Sequence, residues 1–361
     1  MIKINQKNLI RTFFDLVKIY SPSGKEDQVA QYLTQELKKL KLKYKIDQFG
    51  NLLSFLPGKG ASILYLAHMD TVEPCKNIQP IIKNSIIQSA GKTILGADMK
   101  AGIAAILQTI EYFKKNKIQH SPIEIIFTRE EETGLYGARA LKKENLKSKK
   151  AILFDGTGPV GGIALKESAG NVIKIKLYGK SAHAGTTPGN GISAIKTAGK
   201  IISQLKFGHI NLDTAFNIGK IKGGNAVNTV AGYTEMEGEI RSLDNQKAEK
   251  LTKKIIALIK KISKENKTKV KIEMEKVVPA YSIAKNSLLV KKIVQTMRSL
   301  KIKPYYYQDM GASEAGALND FGIQAIDLSY GGREDHNLQE NISIKDLVLM
   351  TKFLIKFAEK D

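Results

Sequence analysis

The chain has 361 residues, of which 42% are hydrophobic and 25% charged, and it contains one cysteine. This length is typical of two globular domains, one cysteine excludes a disulfide within the chain, and no run approaches the roughly 18 apolar residues of a membrane span. The net charge of +22 comes mainly from lysine pairs in helical patterns. The sequence has no Arg-rich tract and no zinc-finger spacing, so we predict no nucleic-acid partner despite this charge. We also predict no membrane partner. The amphipathic N-terminus lacks the features of a secretory signal, which predicts a cytoplasmic protein.

The first part of the chain alternates helical and strand-like patterns. Two amphipathic helices are separated by a Ser-Pro-Ser-Gly breaker, and short apolar runs then alternate with helices, as in crossover units. This alternation indicates a mostly parallel sheet covered by helices. The elements are helices at Gln6–Ile19 and Lys25–Leu40, strands at Tyr44–Ile46, Asn51–Phe55 and Ser62–Ala67, a helix at Ala101–Phe113, a strand at Ile123–Thr128, a helix at Tyr136–Leu146 and a strand at Ala151–Phe154.

From about Gly170 the pattern changes to strict alternation. Ile173, Ile175 and Leu177 share one face and two lysines lie on the other, which is typical of a sheet covered on one side only. The order strand-helix-strand-strand-helix-strand is the ferredoxin-like arrangement. The elements after the first strand are a helix at Ile192–Leu205, strands at Thr214–Ile221 and Gly232–Arg241, a helix at Ala248–Ile262 and a strand at Lys269–Glu273.

The pattern of the first part resumes after Pro279, so the small domain is inserted into the larger one. We predict an α/β fold with a doubly wound, mostly parallel sheet as the catalytic domain, from residues 1–168 and 282–361, and a ferredoxin-like α+β domain at residues 169–281. Open edge strands in the small sheet favour pairing with a second copy, which predicts a homodimer through this domain. The last elements are a helix at Leu288–Leu300, a strand at Gln324–Leu328 and a helix from about Ile344.

Residue types that bind metals follow several strands of the larger domain. Each has an ordinary alternative, such as a surface turn, a solvated acidic turn or a helix N-cap. However, strand ends of a doubly wound sheet meet at one edge, and two histidines with three carboxylates suit two zinc ions about 3.5–4 Å apart with a bridging carboxylate. The candidates comprise two histidines and five carboxylates: His68 and Asp70 after Ser62–Ala67, Asp98 before the helix at Ala101, Glu131 and Glu132 after Ile123–Thr128, Asp155 after Ala151–Phe154, and His336 after Gln324–Leu328.

Longer stretches make the chain similar to the M20 clan of zinc peptidases, and within it to the peptidase T-like aminopeptidases. They are LAHMDTVEP, ILGADMKAGIAA, FTREEETGLYGA, YGKSAHAGTTP, GGNAVNTV, EGEIRSLD and DHNLQE, and they extend over nearly the whole chain. The resemblance implies two Zn²⁺ per subunit, with Co²⁺ or Mn²⁺ as substitutes. It implies that His68 and Asp155 bind one ion, that Glu132 and His336 bind the other, and that Asp98 bridges them.

The resemblance also implies roles beyond the metal ligands. Glu131 matches the general base, and Asp70 matches the residue that orients the first histidine. His183 matches a histidine of the inserted lid domain that reaches the partner subunit's site and stabilises the oxyanion. Asn228 and Arg241 match positions that bind the substrate's carboxylate or carbonyl. From the residues alone, His183 is a surface or capping residue and Arg241 forms a surface salt bridge.

The implied function is that of a di-zinc aminopeptidase acting on short peptides, first of all tripeptides. A carboxypeptidase, a dipeptidase and an N-acyl amino acid deacylase remain alternatives of the same architecture, because they share the metal site. A silent binding protein is a further alternative, although it would have no need of Glu131. Three departures from the family pattern bear on substrate choice: Met99 replaces an acidic residue, Glu314 an aspartate, and Asn337-Leu338 small hydroxyl residues.

Overall fold

The computed structural model describes residues 2–360, which divide into two compact units. The first unit comprises Met1–Lys166, Ser282–Gln308 and Ser313–Asp361, and the second comprises Glu167–Tyr281 and Asp309–Ala312. The second unit thus begins at residue 167 instead of the expected 169, and it also contains a short later segment. The α/β fold with an inserted α+β domain is confirmed.

Helices and strands alternate through the first unit and then form a separate set in the second. The α-helices in the described part of the chain are α1 (Gln6–Lys18), α2 (Asp27–Lys39), α3 (Ala97–Asn116), α4 (Tyr136–Ala140), α5 (Ala194–Gln204), α6 (Asn245–Glu265), α7 (Leu288–Ser299), α8 (Glu314–Asp320) and α9 (Ile344–Ala358). The strands there are β1 (Tyr44–Ile46), β2 (Leu52–Leu56), β3 (Ile63–His68), β4 (Pro80–Lys83), β5 (Ile86–Ser89), β6 (Ile123–Thr128), β7 (Lys150–Gly156), β8 (Gly162–Glu167), β9 (Ala169–Tyr178), β10 (Gly208–Asn211), β11 (Thr214–Gly223), β12 (Tyr233–Ser242), β13 (Lys269–Val278), β14 (Tyr281–Ser282), β15 (Tyr305–Asp309), β16 (Gln324–Ser329), β17 (Gly332–Arg333) and β18 (Asn341–Ser343).

The main sheet has nine strands, in the order β1-β2-β6-β3-β7-β16-β8-β14, with β15 paired to β8. The central strands β6, β3, β7 and β16 are parallel, whereas β1, β2 and β8 pair antiparallel. Every residue of β3 and β6 is buried, which explains their unbroken apolar sequences, since parallel strands are covered on both faces.

Helix α3 places its N-terminus at the edge where these parallel strands end. Its residues are apolar on nearly all sides because it packs against α1, α9, β3 and β7. Helix α1 has one apolar stripe, formed by Leu9, Phe13, Leu16 and Val17, which are fully buried. No helix within residues 2–360 is long and apolar enough to cross a membrane.

The second unit contains a five-stranded antiparallel sheet in the order β10-β11-β12-β9-β13. Helices α5 and α6 pack on one face of it, against β9, β12 and β13. Residues Ile173, Ile175 and Leu177 of β9 are fully buried in that core, together with Ile259 of α6. The alternation in the sequence therefore identified the covered face of this sheet correctly.

The structure adds elements that the sequence patterns did not predict, namely β8, β10, β14, β15 and α8, and it also differs at α4 and in a small sheet. The helix expected at Tyr136–Leu146 is only α4, followed by a single 3-10 turn at Lys143–Asn145, because the chain becomes extended at Leu141 and buries that side chain. A further four-stranded sheet, β17-β18-β5-β4, was not predicted. Its strands are two to four residues long and β4 is largely exposed, so they carry little hydrophobic pattern.

Candidate metal centre

The parallel strands of the main sheet bring several of the predicted residues to one edge. In the register of β3 with β6, His68 lies beside Thr128, and β7 runs parallel to β3 on its other side. The acidic turn that contains Glu131 follows β6, and Asp155 lies near the end of β7. Because neighbouring parallel strands end at the same edge, these side chains converge there.

Asp98 reaches the same edge from the first turn of α3. Its φ and ψ angles of −74° and 110° are not helical, and Gly96 before it has a left-handed φ of 72°, which favours glycine. The Asp98 Oδ1 atom lies 3.1 Å from Nε2 of His68, and its Oδ2 atom lies 3.4 Å from Nε2 of His336. Both oxygens of the Asp98 carboxylate therefore face histidine nitrogens.

The five residues expected to bind metal form two groups that share Asp98. In the first group, Nε2 of His68 lies 3.6 Å from Oδ1 of Asp155. In the second group, Nε2 of His336 lies 3.0 Å from Oε2 of Glu132. Within each group, one ligand atom from every residue lies within 4.8 Å of the others. A carboxylate shared by two such groups is the arrangement that a bridging ligand of a two-metal site requires.

Glu131 lies beside the same cluster. With His68 and Glu132 it forms a third group of ligand-type atoms within 4.8 Å of one another, so distances alone do not separate a ligand role from a base role. Burial raises the pKa of the Glu131 carboxyl well above its usual value, and the charge of Asp155 raises it further. A raised pKa makes the ionised carboxylate a stronger proton acceptor than an exposed glutamate.

Asp70 is fully buried and holds the turn that carries the two glutamates. Its Oδ1 accepts a hydrogen bond from the backbone N–H of Glu131 at 3.0 Å, and its Oδ2 accepts one from that of Glu132 at 3.1 Å. Oδ2 also accepts from the Ser23 hydroxyl at 2.7 Å, and Oδ1 lies 3.4 Å from Nδ1 of His68. Burial alone would raise the pKa of Asp70, but the contacts with His68 and Ser23 and with the turn lower it to about 2.

A buried ion pair supports the acidic turn from the start of α2. Glu26 is fully buried, and its Oε2 accepts hydrogen bonds from Nε and Nη2 of Arg129 at 2.9 and 2.8 Å. Its Oε1 accepts a hydrogen bond from the backbone N–H of Glu130 at 3.0 Å. The backbone of the turn is therefore held by two buried carboxylates, Asp70 and Glu26, of which Asp70 also faces His68.

The cluster concentrates negative charge in a largely buried place. Burial lowers the pKa of His68, but hydrogen bonds to Asp155 and two further aspartates raise it well above its usual value. Hydrogen bonds to Asp98 and Glu132 raise the pKa of His336 to about 11. Burial and the charge of Asp98 raise the pKa of Asp155 to about 7. Divalent cations would relieve this repulsion, and imidazole and carboxylate groups are ligands for zinc, cobalt and manganese, so the residues present fit such ions.

Glu314 and Lys100 are buried ionisable residues near the cluster that had no predicted role. Glu314 begins α8, burial raises its pKa to about 8, and its charge contributes to the raised pKa of Glu131. The ammonium group of Lys100 contacts the hydroxyl of Thr71, and burial lowers the pKa of Lys100 to about 8. The sequence signals were weak: a departure from a family pattern for Glu314, and one lysine within an apolar helix for Lys100.

The predicted substrate-binding residues lie in the second unit. Nδ1 of His183 accepts hydrogen bonds from the backbone N–H groups of Gly185 and Thr186, both at 3.1 Å, and its ring is exposed. Asn228 is exposed on the neighbouring segment, where its carbonyl accepts from Ala184 N–H at 2.8 Å. These contacts place His183 and Asn228 on adjoining segments of one loop region.

Arg241 lies on β12, away from that loop region in sequence. Its Nε donates to Oε2 of Glu239, two residues earlier, at 3.0 Å. The salt bridge expected from the residues alone is therefore present, and it leaves the remaining guanidinium N–H groups for other acceptors.

Comparisons with known proteins match both units. Residues 163–267 match the family model of the M20 peptidase dimerisation domain, and residues 51–190 match that of peptidase family M28. The chain is 30% identical to the uncharacterized protein YqjE of Bacillus subtilis, over 99% of both chains. Among solved structures, a tripeptidase from Staphylococcus aureus is 33% identical, with a TM-score of 0.91, and the aminopeptidase PepT from Bacillus cereus is 32% identical, with a TM-score of 0.87; each comparison covers 98% of both chains.

The shared position of Asp98 generates a prediction about metal stoichiometry. Zinc-reconstituted protein should hold about two ions per chain. Asp98→Ala should weaken the binding of both ions, since the two oxygens of Asp98 face the two histidines. His68→Ala and His336→Ala should each weaken the binding of one ion. Equilibrium dialysis with elemental analysis measures this. Wild-type protein with less than one bound ion per chain, or Asp98→Ala protein with full occupancy, would contradict the assignment.

Proposed function

Because this chain belongs to the M20 metallopeptidases and is peptidase T-like, we propose that it is an aminopeptidase that hydrolyses short peptides, first of all tripeptides. The observation that carries the proposal is the pair of histidine-carboxylate groups that share Asp98, with Glu131 beside them. The similarity to a tripeptidase and to an aminopeptidase supports the substrate class.

The proposed metal ligands are His68 and Asp155 for one ion, Glu132 and His336 for the other, and Asp98 for both. Zinc is the proposed metal, with cobalt or manganese as substitutes. When bound, such ions would polarise the scissile carbonyl and make a water molecule more acidic. The chain's contribution is a set of ligands whose backbone is already fixed.

Glu131 is the proposed general base, and it would take a proton from the attacking water and pass it to the leaving amine. Its raised pKa supports this role, because a higher pKa makes the ionised carboxylate a stronger proton acceptor. Asp70 fixes the Glu131 backbone and faces Nδ1 of His68. It would therefore orient both the base and a ligand, which is the usual task of a carboxylate behind a metal-binding histidine.

His183 is the proposed donor to the developing oxyanion. Because Nδ1 already accepts two backbone hydrogen bonds, the hydrogen of the neutral ring lies on Nε2, which is free to donate. Asn228 and Arg241 are the proposed contacts to the substrate's carboxylate or carbonyl. The proposed metal ligands belong to the first unit, whereas His183 belongs to the second, so we propose that His183 acts in the site of a partner subunit.

A homodimer through the second unit is proposed on two observations. Residues 163–267 match a peptidase dimerisation domain. In addition, β10 pairs only with Thr214–Phe216, so on that side the remainder of β11 has no strand partner among residues 2–360. This open edge includes Ile221, whose exposed fraction is 55%. An open edge with an exposed apolar residue favours pairing with another strand.

Substrate specificity generates a prediction that separates the proposed activity from its rivals. A carboxypeptidase, a dipeptidase and a deacylase share this metal site. An aminopeptidase recognises a free α-amino group, so kcat/KM for free tripeptides should exceed that for N-acetylated tripeptides by at least about tenfold, which corresponds to losing one good polar contact. The assay compares tripeptides, dipeptides and acyl amino acids with zinc-loaded protein. Equal cleavage of free and acetylated tripeptides would favour the deacylase, and no cleavage by metal-loaded protein would favour a binding protein.

The base assignment generates a prediction about Glu131→Ala. Turnover should fall by about 10²–10⁴-fold or more because general-base catalysis is lost, while elemental analysis should show the same metal content as in wild-type protein. Glu130→Gln serves as the control for removing a neighbouring charge, and it should retain turnover. If Glu131→Ala lost metal instead, Glu131 would be a ligand and not the base.

The trans arrangement of His183 generates a complementation test. His183→Ala and Glu131→Ala homodimers should each be inactive, but after subunit exchange one site of each heterodimer contains both intact groups. An equal mixture should then recover up to about a quarter of the wild-type activity, because half of the dimers are mixed. The readout is tripeptide hydrolysis, and exchange is verified by affinity tags of two kinds. No recovery after verified exchange would assign His183 to its own subunit.

A further inference from the structure

One buried carboxylate outside the ligand set contacts the turn that carries Asp98. Glu340 is 1% exposed, and it accepts hydrogen bonds from four consecutive backbone N–H groups. Its Oε2 accepts from Leu95 at 2.8 Å and from Gly96 at 2.7 Å. Its Oε1 accepts from Ala97 at 2.6 Å and from Asp98 at 3.2 Å. All four acceptor directions of this carboxylate are therefore used on one turn.

These N–H groups lie at and before the kink at the start of α3, where Asp98 and Met99 have non-helical backbone angles. The first N–H groups of an α-helix lack partners within the helix, and a side chain at the N-cap usually supplies one. Gly96, within this turn, has no side chain that could supply an acceptor. Without Glu340 the four buried N–H groups would lose their acceptor, and the non-helical conformation of Asp98 would lose its support.

Glu340 also connects this turn to a second ligand segment. It lies four residues after His336 in the chain, and Nε2 of His336 lies 3.4 Å from Oδ2 of Asp98. The turn before α3 and the segment from His336 to Glu340 thus meet twice, once through the proposed ligands and once through the carboxylate of Glu340. Neither contact involves neighbours in sequence.

We propose that Glu340 is a positioning residue that fixes the separation of Asp98 and His336 and thereby sets the affinity of the metal centre. The inference rests on the proposed function, because it assumes that these two residues bind metal. Partners behind the ligands of metal sites typically change metal affinity by about 10–100-fold when they are altered. A purely structural role for Glu340 would change stability and leave affinity unaffected.

Glu124 provides a matched control for that distinction. It is buried in the same unit and accepts hydrogen bonds from the backbone N–H groups of Lys147 at 3.1 Å and Ser148 at 2.8 Å. None of these residues is a proposed ligand. Glu124 therefore shares the burial and the backbone contacts of Glu340 without its connection to Asp98.

The experiment compares Glu340→Gln with Glu124→Gln. Glutamine keeps the volume but turns an N–H₂ group toward some of the backbone donors. Zinc affinity is measured by competition with a chelator, and thermal unfolding is measured on metal-free protein. We expect Glu340→Gln to weaken zinc binding by about 10–100-fold, Glu124→Gln to leave it unchanged, and both to lower the unfolding temperature.

A second pair of variants covers the case in which Glu340→Gln does not fold. Glu340→Asp and Glu124→Asp keep the charge but shorten the reach by one methylene. The absorption spectrum of cobalt-loaded protein reports ligand geometry and should change in Glu340→Asp alone. If the wild type takes up zinc fully and the Glu340 variants have the same affinity and spectrum as the wild type, only the role of Glu340 is overturned. No metal uptake by the wild type would overturn the proposed function and this inference together.

Discussion

Repulsion among carboxylates at one edge of the main sheet is the constraint that the first unit is built around. Parallel strands deliver these groups to the same edge, and burial makes their mutual repulsion costly. The surrounding chain offsets it with backbone N–H groups, with the Ser23 hydroxyl and with the buried ammonium of Lys100. These contacts do not neutralise the cluster completely, and the two histidine-carboxylate groups keep an excess of negative charge. Such an excess favours the binding of divalent cations.

The two units contribute different physical properties. Packing of α3 and α9 on a sheet with fully buried strands makes the first unit a rigid support for the cluster. The second unit has a sheet covered on one face and an exposed loop region that carries His183 and Asn228. The ligand-type residues thus belong to a unit with a buried sheet, whereas His183 and Asn228 lie in an exposed loop region of the other unit.

The sequence predicted the architecture and the grouping of the ligand-type residues because both depend on patterns that are local in sequence. Buried parallel strands appear as apolar runs, and polar residues directly after them must lie at the edge. Glu340 ends the DHNLQE stretch, but its contacts could not be found in this way, because its partners lie 242–245 residues away. The sheet that contains β4 and β17 was missed because short exposed strands have almost no periodicity. The end of α4 was misjudged because burial of Leu141 outweighed helix propensity.

The carboxylate of Glu340 also has a consequence for the order in which the molecule is completed during synthesis. The turn before α3 and its acceptor are among the most distant hydrogen-bonded partners along the chain, and long-range closure of this kind is entropically costly and late. A nascent chain that has emerged as far as β16 contains His68, Asp98, Glu132 and Asp155. It does not yet contain His336 or Glu340. Cotranslational folding can therefore assemble the sheet, whereas a closed cation site must wait for the segment just before α9.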